Sequence, residues 1–559
     1  MEDQLRNGFV RHLMVGLEGT SLSKSERTLL SQDPPAGVII FSRNVADSGQ
    51  LRRLSSEIRK VIFESSGLPP LIAADHEGGR ISVLARAICA PPPQMAIART
   101  RDLSLCRRLF RETAQRMRSC GVNMVLGPVA DINSEYLNPV IGTRSFGDDT
   151  DEVAVLVSEA VTAFREGGLL TCLKHFPGHG ATVHDSHLTL PQLGRSIDQL
   201  KDKDTVPFAR GIEAGADAVL VGHIAPLGRM IPATLDPEIV SRLLRRDIGF
   251  TGCVMTDALE MAGVRVSGSH PHREGGGHDS RSGGDRPLGE IIRRALEAGD
   301  DLLLFSRPIG EVYRELQTLT AGSGVDIGFQ ERWTDRLRSS SAERIAKLRS
   351  RIEALEVERG ISGRSNGEGL GEIDTVGRTE DVATETLSTY GEVAAKSVQV
   401  LRDPRSVLPI SGSSNMYLSF CGERRDFENE VVGRFISRVL ERTGIAVIRP
   451  HSGIQRDEIS TVIGDLKPRM RFRMPHLEEF LELFEFRAGE DSNGSTNVLF
   501  LLNRRPVSRE ALFELCARMD IVVIAGWPYA MNLLDDDKTV VVSYGVYDAA
   551  ADVVCEVRI

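Results

Sequence analysis

The amino-acid sequence predicts a (β/α)8 barrel of the TIM type followed by a smaller α/β layered domain, on three observations. Short runs rich in Val, Ile and Leu recur eight times between residue 11 and about residue 305, separated by longer amphipathic stretches. Polar residues follow most of these runs directly. Beyond a Gly-, Ser- and Glu-rich tract, six further apolar runs alternate with helical stretches. A parallel strand buried on both faces reads as a continuous apolar run, and joining it to the next parallel strand takes a crossover, usually a helix. Eight such units in succession describe a closed barrel.

The eight runs are Leu13–Leu17, Gly37–Phe41, Leu71–Ala74, Met124–Val129, Thr171–His175, Ala218–Val221, Cys253–Met255 and Leu302–Phe305. Helical spacing is clearest between them at Glu152–Glu166 and Ile291–Ala298. At 559 residues the chain exceeds what one core holds, so a second domain is expected. The tract at 358–381 reads as an exposed linker. We place the barrel at 1–350, the linker at 351–385 and the second domain at 386–559. Its strands are expected at Val398–Leu401, Met416–Phe420, Ala446–Ile448, Val498–Leu502, Ile521–Ala525 and Thr539–Ser543, with helices at Asn429–Arg442 and Arg509–Met519.

Composition narrows the function classes. A net charge of -10, with the basic residues dispersed, excludes the clustered basic face that nucleic acid requires. No apolar stretch approaches the roughly 20 residues of a membrane span. The eight cysteines form no CxxC pair, and the N-terminus shows no basic segment followed by an apolar one. These features point to a cytoplasmic protein with reduced thiols. Two tryptophans, Trp333 and Trp527, are too few for a broad aromatic carbohydrate platform.

Barrel enzymes carry their chemistry at the C-terminal ends of the strands. The residues at those ends are Arg43–Asn44, Asp75–His76–Glu77, Asp131, Lys174–His175, His223 and Asp257. The densest segment is Lys174–Leu188, a Gly-rich stretch with His175, His179, His184 and His187. Asp185, two residues from His187, is placed to hold an imidazole tautomer and raise its proton affinity, as general acid/base work requires. The histidines could instead fill a surface loop or bind zinc, although Lys174 would set a cation beside the metal. Asp257, ending an apolar strand, suits a one-sidedly desolvated nucleophile, or alternatively a helix N-cap. Asp75 and Lys174 could equally form an internal salt bridge. Ser267–Pro287, rich in Gly and His, reads as a surface insertion, a lid or a metal-binding tract.

Lys174–Gly180 followed by Asp185–Ser186–His187 resembles the signature of family 3 β-N-acetylglucosaminidases of the NagZ type. Gly37–Asn44, Asp75–Arg80, Gly127–Asn133, Arg144–Gly147 and Val254–Met261 match in the same order, so the resemblance spans about residues 10 to 310. It implies a retaining, exo-acting β-N-acetylhexosaminidase with Asp257 as nucleophile, His187 as general acid/base and Asp185 orienting it. The same resemblance makes Asp75, Arg144, Lys174 and His175 sugar contacts, with Asp131 and His223 as further candidates. No cofactor or metal is expected. The partner is a small soluble glycoside containing N-acetylglucosamine, acted on by a monomer or homodimer. Two departures stand out: Ala181 where aspartate is usual, and Ala258 after the nucleophile. A phosphorylase using phosphate as acceptor and a catalytically silent sugar-binding homologue are the rival readings.

Overall fold

The structure, a computed structural model, describes residues 9–135, 138–182, 190–265, 286–321, 340–357 and 388–397, and the backbone of six strands beyond them. Eight strands form one parallel sheet: β1 (Leu13–Gly16), β2 (Gly37–Ile40), β3 (Leu71–Ala74), β6 (Met124–Val125), β7 (Leu170–Phe176), β8 (Ala218–Val221), β9 (Cys253–Thr256) and β10 (Leu303–Pro308). Their order is β10-β1-β2-β3-β6-β7-β8-β9. A parallel bridge between Met255 and Leu302, with Thr256 N–H donating to Leu302 O at 2.9 Å, brings the last strand round to the first. Each strand lies on one of the eight expected runs. An antiparallel hairpin, β4 (His76–Gly78) with β5 (Ile81–Ser82), follows β3 directly and was not anticipated.

Side chains alternate across the barrel wall. Leu13, Val15, Val38 and Ile40 pack outward against the helices, including Ser48–Ser66, Leu103–Ser119 and Thr150–Glu166. Met14, Ile39, Met124, Leu170, Cys172, Leu220 and Met255 fill the interior. The helices Ser48–Ser66, Leu103–Ser119 and Thr150–Glu166 each begin on an aspartate, Asp47, Asp102 or Asp149, whose side chain accepts from the N3 backbone N–H.

The helix Ala342–Val357 closes the N-terminal end of the barrel. Its Ile345, Leu348, Ile352 and Leu355 join the interior cluster. Three arginines dock it on residues that precede strands. Arg344 pairs with the buried Asp301 at 2.7 Å and Arg351 with Asp217 at 2.9 Å. Arg349 is almost fully buried and donates to Pro69 O at 2.8 Å and Leu68 O at 2.7 Å. This helix runs through residue 350 to Val357, so the first seven residues assigned to the linker are helical.

The C-terminal strands are β11 (Gln399–Arg402), β12 (Ser414–Cys421), β13 (Ile448–Pro450), β14 (Thr496–Asn503), β15 (Ile521–Ile524) and β16 (Thr539–Val542). They form a sheet of order β11-β16-β15-β14-β12-β13, parallel except for β11. Five of these six fall on the expected runs, and β13 lies two residues on from Ala446–Ile448, sharing only Ile448 with it. The helices expected at 429–442 and 509–519, and the greater part of the 267–287 insertion, lie outside the described residues.

Candidate active site

The C-terminal ends of β3, β7 and the following loops assemble a buried ionic cluster. Asp75 ends β3, and Glu77 stands two residues on in the hairpin. Lys174, on β7, donates to Asp75 Oδ1 at 2.6 Å and pairs also with Glu77. Arg144 grips Glu77 with both arms, Nε to Oε2 at 2.7 Å and Nη2 to Oε1 at 2.9 Å. Lys174 and Glu77 are almost fully buried, whereas the Asp75 side chain keeps 23% of its exposure. Two carboxylates and two cations balance formally, which is what permits four charges at one buried place. The internal salt bridge considered for Asp75 and Lys174 is therefore present, within a larger network.

Burial works against ionisation of Glu77, Lys174 and Arg144, and the opposite charges around each override it. The Glu77 carboxyl, which burial would raise, is held well below the usual carboxylate range by Arg144 and Lys174. Burial lowers the Lys174 ammonium, but Asp75 and Glu77 bring it above its ordinary value. Cys172 sits in the barrel interior beneath them. Its thiol is pushed far up, first by burial and then by the carboxylates of Asp75, Asp217 and Asp257, which it opposes despite Lys174. Asp257 follows β9 at this same C-terminal rim, two strands on from β7.

His175 extends the cluster. Arg144 Nη2 lies 3.2 Å from His175 Nε2, and a guanidinium can only donate, so Nε2 is the acceptor and the ring proton sits on Nδ1. That proton points at Asp131 Oδ2, 2.7 Å away. Asp131 also accepts from the backbone N–H of His175 and, at 2.6 Å, from that of His179. Asp131 is fully buried. Both its oxygens are turned toward the chain, and it fixes the tautomer and orientation of His175.

His223 is likewise held within the chain. It is fully buried at the end of β8, with Nδ1 2.8 Å from Thr234 Oγ1 and Nε2 2.9 Å from Ala258 O. It braces the segment carrying Asp257 instead of lining the open rim. Asp257 follows β9 and is half-buried. Its backbone N–H donates to Val221 O at 3.0 Å, and its Oδ1 accepts from Ala258 N–H at 2.8 Å. The next helix starts only at Ala262, so Asp257 is not its N-cap. Arg43 and Asn44, also at strand ends, tie the rim together through Leu17 O, Gly19 O and Ser306 O.

The chain enters the His-rich segment over a fixed platform. Gly180 lies so close to Ile132 that a Cβ there would stand 1.8 Å from its carbonyl oxygen, hence glycine. His179 Nδ1 and Thr182 Oγ1 are 2.9 Å apart, and burial pushes the His179 imidazole down to about 4. His184, Asp185 and His187 lie outside the described residues. Among the described residues no group of three or more His, Cys, Asp or Glu side chains is arranged to hold a metal ion. Glu77 was missed as a site residue, although its place two residues after Asp75, in Asp75–Arg80, was the available signal.

A parallel barrel with a charge-balanced polar cluster and a half-buried carboxylate at its C-terminal rim has the layout of a barrel enzyme, whose chemistry sits at that end. Comparison with known proteins is more specific. The model of the glycosyl hydrolase family 3 N terminal domain matches residues 7–327, more than half of the chain. A beta-hexosaminidase of Xylella fastidiosa (strain M23) is 36% identical over 276 residues, covering 47% of this chain and 81% of that protein. A family 3 beta-N-acetylglucosaminidase from Paenibacillus sp. str. FPU-7 superposes with a TM-score of 0.73 at 25% identity, covering 99% of this chain and 96% of that one. Native NagZ from Neisseria gonorrhoeae gives a TM-score of 0.52 at 25% identity, over 68% of this chain and 97% of that one. The chain belongs to glycosyl hydrolase family 3.

Proposed function

We propose that the protein is a retaining, exo-acting β-N-acetylhexosaminidase that releases terminal β-linked N-acetylglucosamine from small soluble glycosides. The carrying observation is the rim itself: a half-buried Asp257 at the end of β9, on the same C-terminal rim as the Lys174, Asp75, Glu77 and Arg144 cluster. The names of the relatives support the substrate class.

In the first step Asp257 attacks the anomeric carbon while His187 gives its proton to the departing oxygen, leaving a glycosyl ester on Asp257. In the second, His187 takes a proton from water, the water oxygen attacks the same carbon, and Asp257 leaves as carboxylate. Asp185 keeps the His187 imidazole basic enough for both roles. Asp75, with its exposed edge, accepts from sugar hydroxyls. Arg144, Lys174 and His175 hold the ring so that the anomeric carbon meets Asp257.

The domain reading is a catalytic barrel whose structural unit extends through Val357, then a linker and an α/β domain that shapes or stabilises it. We place the protein in the cytoplasm, acting on fragments of peptidoglycan or chitin. Among the described residues no helix is long and apolar enough to cross a membrane.

The test is nitrophenol release from nitrophenyl β-N-acetylglucosaminide by the intact chain, Asp257→Ala and His187→Ala, with and without phosphate. Activity lost at Asp257, reduced at His187 and indifferent to phosphate supports the reading. Sugar 1-phosphate as product would make the protein a phosphorylase. Cleavage of the β-glucoside alone would overturn the substrate class, and no turnover of either would favour a sugar-binding role.

A further inference from the structure

We propose that Asn138 is a positioning residue that sets the start of the acid/base segment against the loop carrying Arg144. The inference rests on the roles given above to His187 and Arg144. The Asn138 side chain is almost fully buried and divides its hydrogen bonds between two loops. Its Oδ1 accepts from Val140 N–H at 2.9 Å and Ile141 N–H at 2.7 Å. Its Nδ2 donates to His179 O at 2.8 Å and to Thr182 Oγ1 at 3.3 Å. The amide orientation is fixed by chemistry, since two backbone donors need the oxygen and a carbonyl needs the NH2.

Each side of the amide leads to a functional group. On the Oδ1 side, Val140 O accepts from Arg144 Nη1 at 3.2 Å, so the loop that Asn138 shapes also steadies the guanidinium. On the Nδ2 side, His179 and Thr182 lead directly into the segment 183–189, which carries Asp185 and His187. Glu135 N–H reinforces that anchor by donating to Gly180 O at 3.1 Å. One buried amide therefore registers the group that holds the sugar with the chain that delivers the proton. The amide contacts no reacting atom, so its effect passes through others.

The two functions can be separated with Asn138→Asp. A carboxylate still accepts from Val140 and Ile141 but has no N–H for His179 O and Thr182 Oγ1. Proton delivery matters little when the leaving group is dinitrophenolate and greatly when it is phenolate. The expected result is a loss of about tenfold in kcat/KM for the phenyl glycoside, as for breaking one or two buried hydrogen bonds, and less than about threefold for the dinitrophenyl glycoside. Relative to the wild type, the loss should shrink toward acid pH as the introduced carboxyl regains a proton to donate. Thr182→Val, which removes the hydroxyl while leaving Asn138 in place, should show the same leaving-group signature and guards against a folding defect in the first variant. Equal losses on both glycosides, in both variants, would overturn the proposal. His187→Ala serves as reference: if it fails to discriminate between the leaving groups, the acid/base assignment itself is wrong, and this inference falls with it.

Discussion

Glu77→Gln isolates the charge that lets the rim cluster exist. The substitution keeps the shape and one oxygen but removes the negative charge to which Arg144 donates twice and Lys174 once. Both cations are more than four-fifths buried, and Asp75 alone would then have to balance them. Removing one partner from a buried pair costs about 3–5 kcal/mol, because the remaining charge stays desolvated. At pH 7 the barrel should therefore lose about that much in urea unfolding. The pH dependence follows from linkage. Glu77 ionises far below its ordinary value of 4.5 in the folded chain, so its contribution is complete above 4.5. Below that the unfolded chain takes up the proton while the folded one does not, and the contribution declines toward the folded value. The stability gap between wild type and variant should thus be full at pH 7 and smaller at pH 4. A gap that is absent at pH 7, or no smaller at pH 4, would refute the account of the cluster. Binding should weaken in parallel, as a raised KM for the nitrophenyl substrate, because Arg144 and Lys174 lose their fixed positions.

Three further outcomes are expected. Gly180→Ala puts a Cβ against Ile132 O, so the backbone must shift, with about 1–3 kcal/mol lost and kcat reduced; unchanged kinetics would place that contact outside the catalytic apparatus. His179 and His76 are buried with imidazoles pushed down to about 4 and about 3, so they contribute stability above pH 6.5. That stability should drain as pH falls below 6.5 and the unfolded chain protonates; His179→Gln should flatten the slope measured between pH 6.5 and 5. Arg349→Met removes the donors to Pro69 O and Leu68 O and should cost about 1–3 kcal/mol in unfolding while leaving KM unchanged, because the helix lies at the barrel end opposite Asp257.

The barrel was legible because its strands are buried on both faces, so burial erased any alternation and left runs such as Leu71–Ala74 and Ala218–Val221. The hairpin at 76–82 was not, since it continues directly from β3 through glycines that carry no pattern. Strand-end position told which residues approach the rim but not where their side chains turn. Lys174 and His175 stand at the cluster, whereas the inward hydrogen bonds of Asp131 and His223 could not be read, because those to His179 N–H and Ala258 O are contacts between segments distant in sequence. Asn138 gave no signal at all; an amide matters here only through four partners brought together by the fold. The helix 342–357 carried a readable spacing at Ile345, Leu348, Ile352 and Leu355, obscured by the arginines among them and by the polar tract that follows.

That closing helix has a consequence for dissecting the protein. The match to the family's N terminal domain ends at residue 327, yet Asp301 and Asp217 take further ion pairs from arginines supplied by 340–357. A fragment cut at residue 327 would leave the floor of the barrel open to water, expose Met14, Ile39, Met124 and Leu170, and leave Asp301 with Arg245 alone of the arginines that now hold it. The sheet's own floor is built from residues past the end of that match, and a barrel expressed alone should be cut after Val357.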